Sequence, residues 1–199
     1  MAYKPPAAPG EDASCALALV NTRYLRAGEP ADLLATDSQA AGWLAAQGLA
    51  PEDVRLTQSE TARLRALRET IRALFTARAR QSVPVPGEVA SLNAAIAAAP
   101  VLPALNWDDT GPRRGQQVLA PDGRDAAPGP FGAAIARLAG DALHVLTAPE
   151  GPEPAPCAAH GCIRWFLRTH AARQWCSTRC GDRVRAARHY ARHHSAADA

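Results

Sequence analysis

Four of the five cysteines in this 199-residue chain lie in one short stretch, which reads CAAHGCIRWFLRTHAARQWCSTRC. Their spacing is C-x4-C-x13-C-x3-C, so two close pairs are separated by a loop long enough to fold back. Each pair lets two thiolates reach one ion at about 2.3 Å, and the loop brings the pairs together. The pattern predicts a tetrahedral Zn²⁺ site, one per chain, with the ligands Cys157, Cys162, Cys176 and Cys180. Because four protein ligands leave no open coordination position, the zinc is expected to be structural.

Two alternatives stay open for these cysteines: a pair of disulfides in an oxidising compartment, or small buried residues. The N-terminal segment MAYKPPAAPGEDAS has prolines and acids where an export signal needs a basic start and an apolar core. The least polar stretch, 94–105, is broken by Pro100 and Pro103 and is too short to span a bilayer. We therefore expect a cytoplasmic protein without a membrane partner, and clustered cysteines in that reducing compartment favour metal.

The residues around the last cysteine carry a family resemblance. Trp175 precedes Cys176, and Cys180 is followed by Gly181, Asp182 and Arg183. This arrangement resembles the bacterial CGNR zinc-finger family, in which a Cys-Gly-Asn-Arg signature opens a basic helix. The resemblance places the four cysteines on the family's ligand positions. Asp182 stands where the signature has Asn, which puts a carboxylate beside the face expected to meet phosphate.

Positive charge is concentrated in this part of the chain. The first 156 residues carry 14 Lys/Arg and 17 Asp/Glu, whereas the last 43 carry 8 Arg and 2 Asp. The predicted C-terminal helix places arginines on one stripe and Val184, Ala187 and Ala191 on another, so we expect it to pack by its alanine face. The candidate nucleic-acid contacts are Arg183, Arg185, Arg188 and Arg192. The alternative is a solvated basic face whose charge the zinc-bound thiolates partly offset.

The N-terminal part of the sequence predicts a mainly α fold. A helix is expected from Asp12 or Ser14 to Gly28, with short helices over 30–34 and 37–47. Thr57-Gln-Ser-Glu60 predicts a capping box for the longest helix, whose apolar stripe is Leu64, Leu67, Ile71, Leu74 and Phe75. Further helices are expected from Pro86 and from about Phe131, and residues 101–120 predict one small β-hairpin, the only sheet expected.

The domain boundary is expected in a proline-rich segment. Residues 12–147 form the predicted helical domain, residues 148–156 an extended linker, and residues 157–194 a four-cysteine zinc-finger module that ends in a basic helix. The N-terminal LALVNTRYLRAG, ADLL and GWLAAQGL are similar to the opening of the ABATE domain, which accompanies the CGNR finger. That resemblance implies a stress-induced transcription regulator.

The same resemblance is carried by Asn21, Thr22 and Trp43. A polar pair in the middle of an apolar helix is costly if buried without partners, so the candidate ligand-binding residues are Asn21, Thr22, Arg23 and Trp43. The alternative is that the Asn-Thr pair braces a neighbouring loop.

The sequence holds no phosphate-binding glycine loop, catalytic triad order or paired carboxylates that indicate an enzyme. We expect a zinc-binding transcriptional regulator whose finger contacts DNA and whose larger domain senses a small-molecule effector or forms a homodimer. Two alternatives remain: a protein-interaction module in which zinc only stabilises the C-terminus, and a small-molecule-binding protein.

Overall fold

The computed structural model describes residues 5–99, 101–118, 129–149 and 151–195. Within these ranges the chain forms six helices and three antiparallel two-stranded hairpins. The helices are α1 (Cys15–Val20), α2 (Asp37–Ala46), α3 (Gln58–Arg80), α4 (Pro86–Ala97), α5 (Pro130–Thr147) and α6 (Thr178–Ser195). The strands are β1 (Arg23–Arg26), β2 (Glu29–Asp32), β3 (Val101–Asp108), β4 (Gly111–Val118), β5 (Glu153–Pro156) and β6 (Trp165–Arg168).

Helix α3 is the centre of the fold, as its apolar stripe predicts. The Thr57 side chain accepts a hydrogen bond from the Glu60 N–H at 3.2 Å, and the Glu60 carboxylate accepts one from the Thr57 N–H at 2.8 Å. This capping box starts the helix where the sequence predicts it. The stripe is buried against α1, α4 and α5 and consists of Leu64, Leu67, Ile71, Leu74 and Phe75.

The first helix is shorter than predicted. It ends at Val20, and the chain continues as the β1–β2 hairpin, which places Tyr24 on a strand and replaces the helix expected over 30–34. Ala27 and Gly28, at the hairpin turn, have φ of +52° and +93°. Two consecutive left-handed residues make the type of turn that matches strand twist. This turn therefore favours a hairpin where the apolar periodicity predicted a helix.

The fold class is mainly α, as predicted, and the expected hairpin is present as β3–β4, with register from Val101↔Val118 to Asp108↔Gly111. The expectation of a single sheet was wrong, because β1–β2 and β5–β6 form two further hairpins. The sequence does not predict these two hairpins because their strands are only four residues long. Strand β5 is also proline-rich, and β6 is buried without the alternation of apolar and polar residues that marks a strand.

The proline-rich segment is extended, but its second half is not a free spacer. Strand β5 pairs with β6 of the finger and packs against α3. The side chains of β6 divide between two cores: Trp165 and Leu167 join the main core, while Phe166 fills the finger. The predicted units thus share a packed interface. Among the described residues, no helix combines the length and the apolar character needed to cross a membrane.

Candidate metal centre

The four predicted cysteine ligands converge, with their Sγ atoms all within 4.8 Å of one another. Cys157 directly follows β5, and Cys162 lies in the turn before β6, where its N–H donates to the Ala159 carbonyl at 3.0 Å. Cys176 precedes α6, and Cys180 lies in the first turn of that helix. The hairpin and the helix therefore supply two sulfurs each.

The sulfur spacing fits one tetrahedral zinc ion. The Cys162 and Cys176 Sγ atoms are 3.7 Å apart, and those of Cys176 and Cys180 are 3.8 Å apart. A regular tetrahedron with Zn–S bonds of about 2.3 Å has edges of about 3.8 Å. A disulfide requires about 2.05 Å, and all five cysteines are unpaired. The centre is a four-cysteine site for one structural Zn²⁺.

Hydrogen bonds among the sulfurs shift the pKa values of three of these thiols in opposite directions. Hydrogen bonds from Cys162 and Cys176 lower the pKa of the Cys157 thiol to about 2. The hydrogen bond with Cys157 raises the pKa of Cys162 to about 11, and a similar bond raises the pKa of Cys176. Neighbouring thiolates repel one another, and a divalent cation offsets that repulsion. Metal binding is therefore expected to release protons from the thiols.

Arg183, a candidate DNA contact, also braces the metal centre. Its Nη2 donates to the His160 carbonyl at 3.0 Å and lies 3.9 Å from the Cys180 Sγ. The arginine thus links the two halves of the finger beside a thiolate. The His160 and His170 side chains are exposed.

Asn21 attaches the finger to the N-terminal domain. Its Nδ2 donates to the Trp165 carbonyl at 2.9 Å, and its Oδ1 accepts from the Trp165 N–H at 2.8 Å. The side chain therefore pairs with β6 as a neighbouring strand would. Nδ2 also donates to Glu11 at 2.9 Å. Both Asn21 and Trp165 are buried.

A buried ion pair adds to this attachment. The Arg164 and Glu11 side chains are 7% and 8% exposed, and Arg164 Nη2 lies 2.6 Å from Glu11 Oε2. Arg72 donates to the Ile163 carbonyl at 2.7 Å, and the Leu167 N–H donates to the Pro9 carbonyl at 2.8 Å. The finger and the N-terminal domain are thus held together by polar as well as apolar contacts.

The other predicted ligand-binding residues each have different partners. Thr22 is buried, donates to the Leu19 carbonyl at 2.7 Å and accepts from Arg68 at 2.8 Å. Arg23 is exposed beside Glu69, and Trp43 belongs to the main core. These contacts favour the bracing alternative for the Asn-Thr pair. A ligand-binding role for these residues remains a prediction.

The four α6 arginines predicted to contact DNA divide into two groups. Arg183 and Arg185 are tied to the finger, the latter by Asp182 at 2.6 Å and by Trp175, whose ring centroid is 5.7 Å from its guanidinium carbon. Arg188 is exposed on the projecting part of the helix. Arg192 is on the same helix, and its side chain is outside the described residues.

A set of arginines that the sequence does not mark surrounds a cleft between the β1–β2 turn and the finger. Arg26, Arg164 and Arg179 line this cleft together with Arg183. No sequence signal marks them, because they come from a hairpin, a strand edge and a helix start that only the fold brings together.

Fold and site together define a zinc-binding protein with a helical N-terminal domain and a four-cysteine finger that shares its core. The family model for ABATE, described as "Putative stress-induced transcription regulator", matches residues 13–149, and that for the CGNR zinc finger matches residues 155–193. The chain belongs to the ABATE family and carries a CGNR zinc finger. Comparison with curated proteins finds no match to the chain.

Proposed function

We propose that the protein is a DNA-binding transcriptional regulator of the bacterial cytoplasm, without catalytic activity, in which the zinc finger presents helix α6 to the duplex. The observation that carries this proposal is the exposure of α6. Every residue from Arg185 to Ala191 is exposed, so this part of the helix projects from the molecule. A projecting helix can enter a major groove, which admits one α-helix.

The charge of α6 suits a polyanionic partner. The helix carries five arginines and a single acidic residue, Asp182. The prediction that the helix packs by its alanine face was wrong: Ala187 and Ala191 are exposed, and only Val184 packs against the finger core. From Arg185 to Ala191, exposed residues therefore cover every side of the helix.

The proposed mechanism is positional. Asn21, Arg72 and the Arg164–Glu11 pair hold the finger against the N-terminal domain, so zinc and these contacts together set the direction of α6. In a homodimer, a shift between the N-terminal domains changes the spacing of the two helices. Half-site spacing on DNA follows such geometry.

The test is a salt titration of zinc-loaded full-length protein with random-sequence duplex DNA, measured by fluorescence anisotropy. We expect affinity to fall steeply with salt, because each phosphate contact releases counterions. Arg188→Gln should reduce the slope of log K against log salt by about 1. The matched control is Arg80→Gln, which removes an exposed arginine at the end of α3. Absence of binding at low salt, or equal slopes for both variants, contradicts the proposal.

A second function is favoured by two observations. Trp165 and Leu167 belong to the main core, and Arg185 is paired with Asp182 instead of pointing to a partner. Both are features expected of a protein-interaction module in which zinc only stabilises the C-terminal part. Under this alternative, zinc removal lowers the unfolding free energy, while the Arg188→Gln variant behaves as wild type in every DNA titration.

A further inference from the structure

The segment that precedes α1 packs against the zinc finger. Residues 5–14, which we call the N-terminal arm, lie against β6, where the Leu167 N–H donates to the Pro9 carbonyl at 2.8 Å. Ala8 is only 2% exposed and belongs to the buried cluster of the finger. It precedes residue 13, where the ABATE match begins, and is far from the finger match in the sequence. The arm therefore completes the core of a distant module.

The arm also borders the metal centre. The buried cluster that contains Ala8 includes two of the zinc ligands, Cys157 and Cys176. Pro5 and Pro6 line a cleft together with three of the ligands: Cys162, Cys176 and Cys180. Each of the four ligands thus shares either a buried cluster or a cleft wall with the arm. Because the shell around a metal controls access of solvent to it, the arm lies where it can limit that access.

Glu11 attaches the arm to both domains. Its side chain is 8% exposed, and its Oε2 accepts three hydrogen bonds. The donors are the Ala8 N–H at 2.9 Å, Asn21 Nδ2 at 2.9 Å and Arg164 Nη2 at 2.6 Å. They belong to the arm, to the N-terminal domain and to the finger, respectively. One carboxylate therefore joins three parts of the molecule.

Arg164 connects this carboxylate to a metal ligand. Its Nη1 donates to the Pro6 carbonyl at 2.9 Å, so the arm holds the guanidinium group by two contacts. The Arg164 carbonyl accepts a hydrogen bond from the Cys157 N–H at 2.9 Å. Glu11 is therefore linked to the first zinc ligand through a single residue. Loss of a partner that orients metal ligands typically lowers metal affinity about 10–100-fold.

Gly10 allows the arm to approach the finger closely. Its φ is +85°, in the left-handed region that favours glycine. A Cβ atom at this position would lie 2.7 Å from both Cβ and Cγ of Leu167, whereas non-bonded carbon atoms prefer about 3.5–4.0 Å. Leu167 is itself buried and packed in the main core. A larger residue at position 10 therefore displaces the arm from β6.

We propose that the N-terminal arm is a strap over the zinc centre that slows release of the metal, and that Glu11 is the residue that positions this strap. With the arm in place, Pro5, Pro6 and Ala8 cover one side of the sulfurs. When the arm detaches, the four cysteines remain, but the contacts that orient Cys157 are lost. Zinc retention thereby depends on the N-terminal domain. This role concerns the metal centre alone and does not require DNA binding.

The experiment measures transfer of zinc from the folded full-length protein to an excess of a pyridylazo chelator, whose absorbance reports bound zinc. Glu11→Gln and Gly10→Ala should each release zinc at least about tenfold faster than the wild type, because both detach the arm. The matched controls are Glu52→Gln, an exposed carboxylate, and Gly87→Ala, where an added Cβ meets no atom within 4 Å. Both controls should release zinc within about twofold of the wild-type rate.

Two further measurements distinguish a strap from general destabilisation. The Leu167 N–H should exchange with solvent at least about tenfold faster in both arm variants, because it loses the Pro9 carbonyl as its acceptor. Co²⁺-loaded Glu11→Gln should keep the visible absorption spectrum of the wild type, since all four thiolates are present. Leu92→Ala, a buried substitution in α4, weakens the main core without touching the arm. It should release zinc within about threefold of the wild-type rate, because release proceeds by local opening of the arm.

Three outcomes overturn the proposal. The first is a wild-type rate of zinc release in both arm variants, and the second is equal acceleration by Leu92→Ala and Glu11→Gln. The third is a changed Co²⁺ spectrum in Glu11→Gln, because Glu11 would then determine the coordination itself. If Gly10→Ala does not fold, Glu11→Gln decides the test, since glutamine keeps the size and shape of the side chain.

Discussion

The Asn21→Ala substitution tests whether the finger and the N-terminal domain are one packed unit. Asn21 makes three hydrogen bonds, two of them to the backbone of Trp165. Alanine leaves the buried Trp165 N–H and carbonyl without these partners.

The expected cost follows from those contacts. An unsatisfied buried polar group costs about 1–3 kcal/mol, and two backbone groups are affected, so we expect a loss of about 3–4 kcal/mol in the free energy of unfolding. That is a large part of the roughly 5–15 kcal/mol typical of a folded domain. Zinc content should stay at one ion per chain, because no sulfur contacts the substituted side chain.

The assay is urea unfolding followed by tryptophan fluorescence, with zinc measured in the folded protein. The matched control is Asn93→Ala on α4, where the asparagine is exposed and the change should be within about 0.5 kcal/mol. A cost below about 1 kcal/mol for Asn21→Ala refutes the reasoning, as does a wild-type transition in which the finger unfolds separately from the N-terminal domain.

Three further predictions concern the metal, the carboxylate in the family signature and the ion pair between buried Arg68 and half-buried Asp32. Cys176→Ser should reduce bound zinc to well below one per chain by metal analysis, whereas Cys15→Ser, outside the cluster, should leave it unchanged. Asp182→Asn frees Arg185 from its partner and removes a negative charge, so DNA affinity should be equal or higher at a similar salt slope; weaker binding contradicts this view of the carboxylate. For Asp32, burial opposes ionisation, but hydrogen bonds from Arg68 and the Leu34 N–H outweigh it and lower its pKa. The stabilisation is therefore complete above the unfolded-state pKa of about 3.9 and is lost as pH falls through the lower folded-state value, and Asp32→Asn should flatten the unfolding free energy in that acidic range.

Much of the helical framework follows from local sequence. The capping box at Thr57, the proline at position 86 and the apolar stripe of α3 each specify a helix through interactions within a few residues. The prediction of a long first helix was wrong because contacts between distant residues, and not the local sequence, decide the structure there. Its apolar spacing suits a helix, but the Ala27–Gly28 turn and the contact of Asn21 with a strand 144 residues away decide otherwise.

For the candidate site, the cysteine spacing and the resemblance to the CGNR finger predicted a structural zinc ion and its four ligands, because two close pairs of thiols joined by a long loop can surround one ion. Only the tertiary structure decided how the finger is attached. Trp165 faces the main core, Arg164 is buried against Glu11, and the cleft collects arginines from three separate segments. These features depend on contacts between distant parts of the chain, and such contacts leave no periodicity or spacing in the sequence that could predict them.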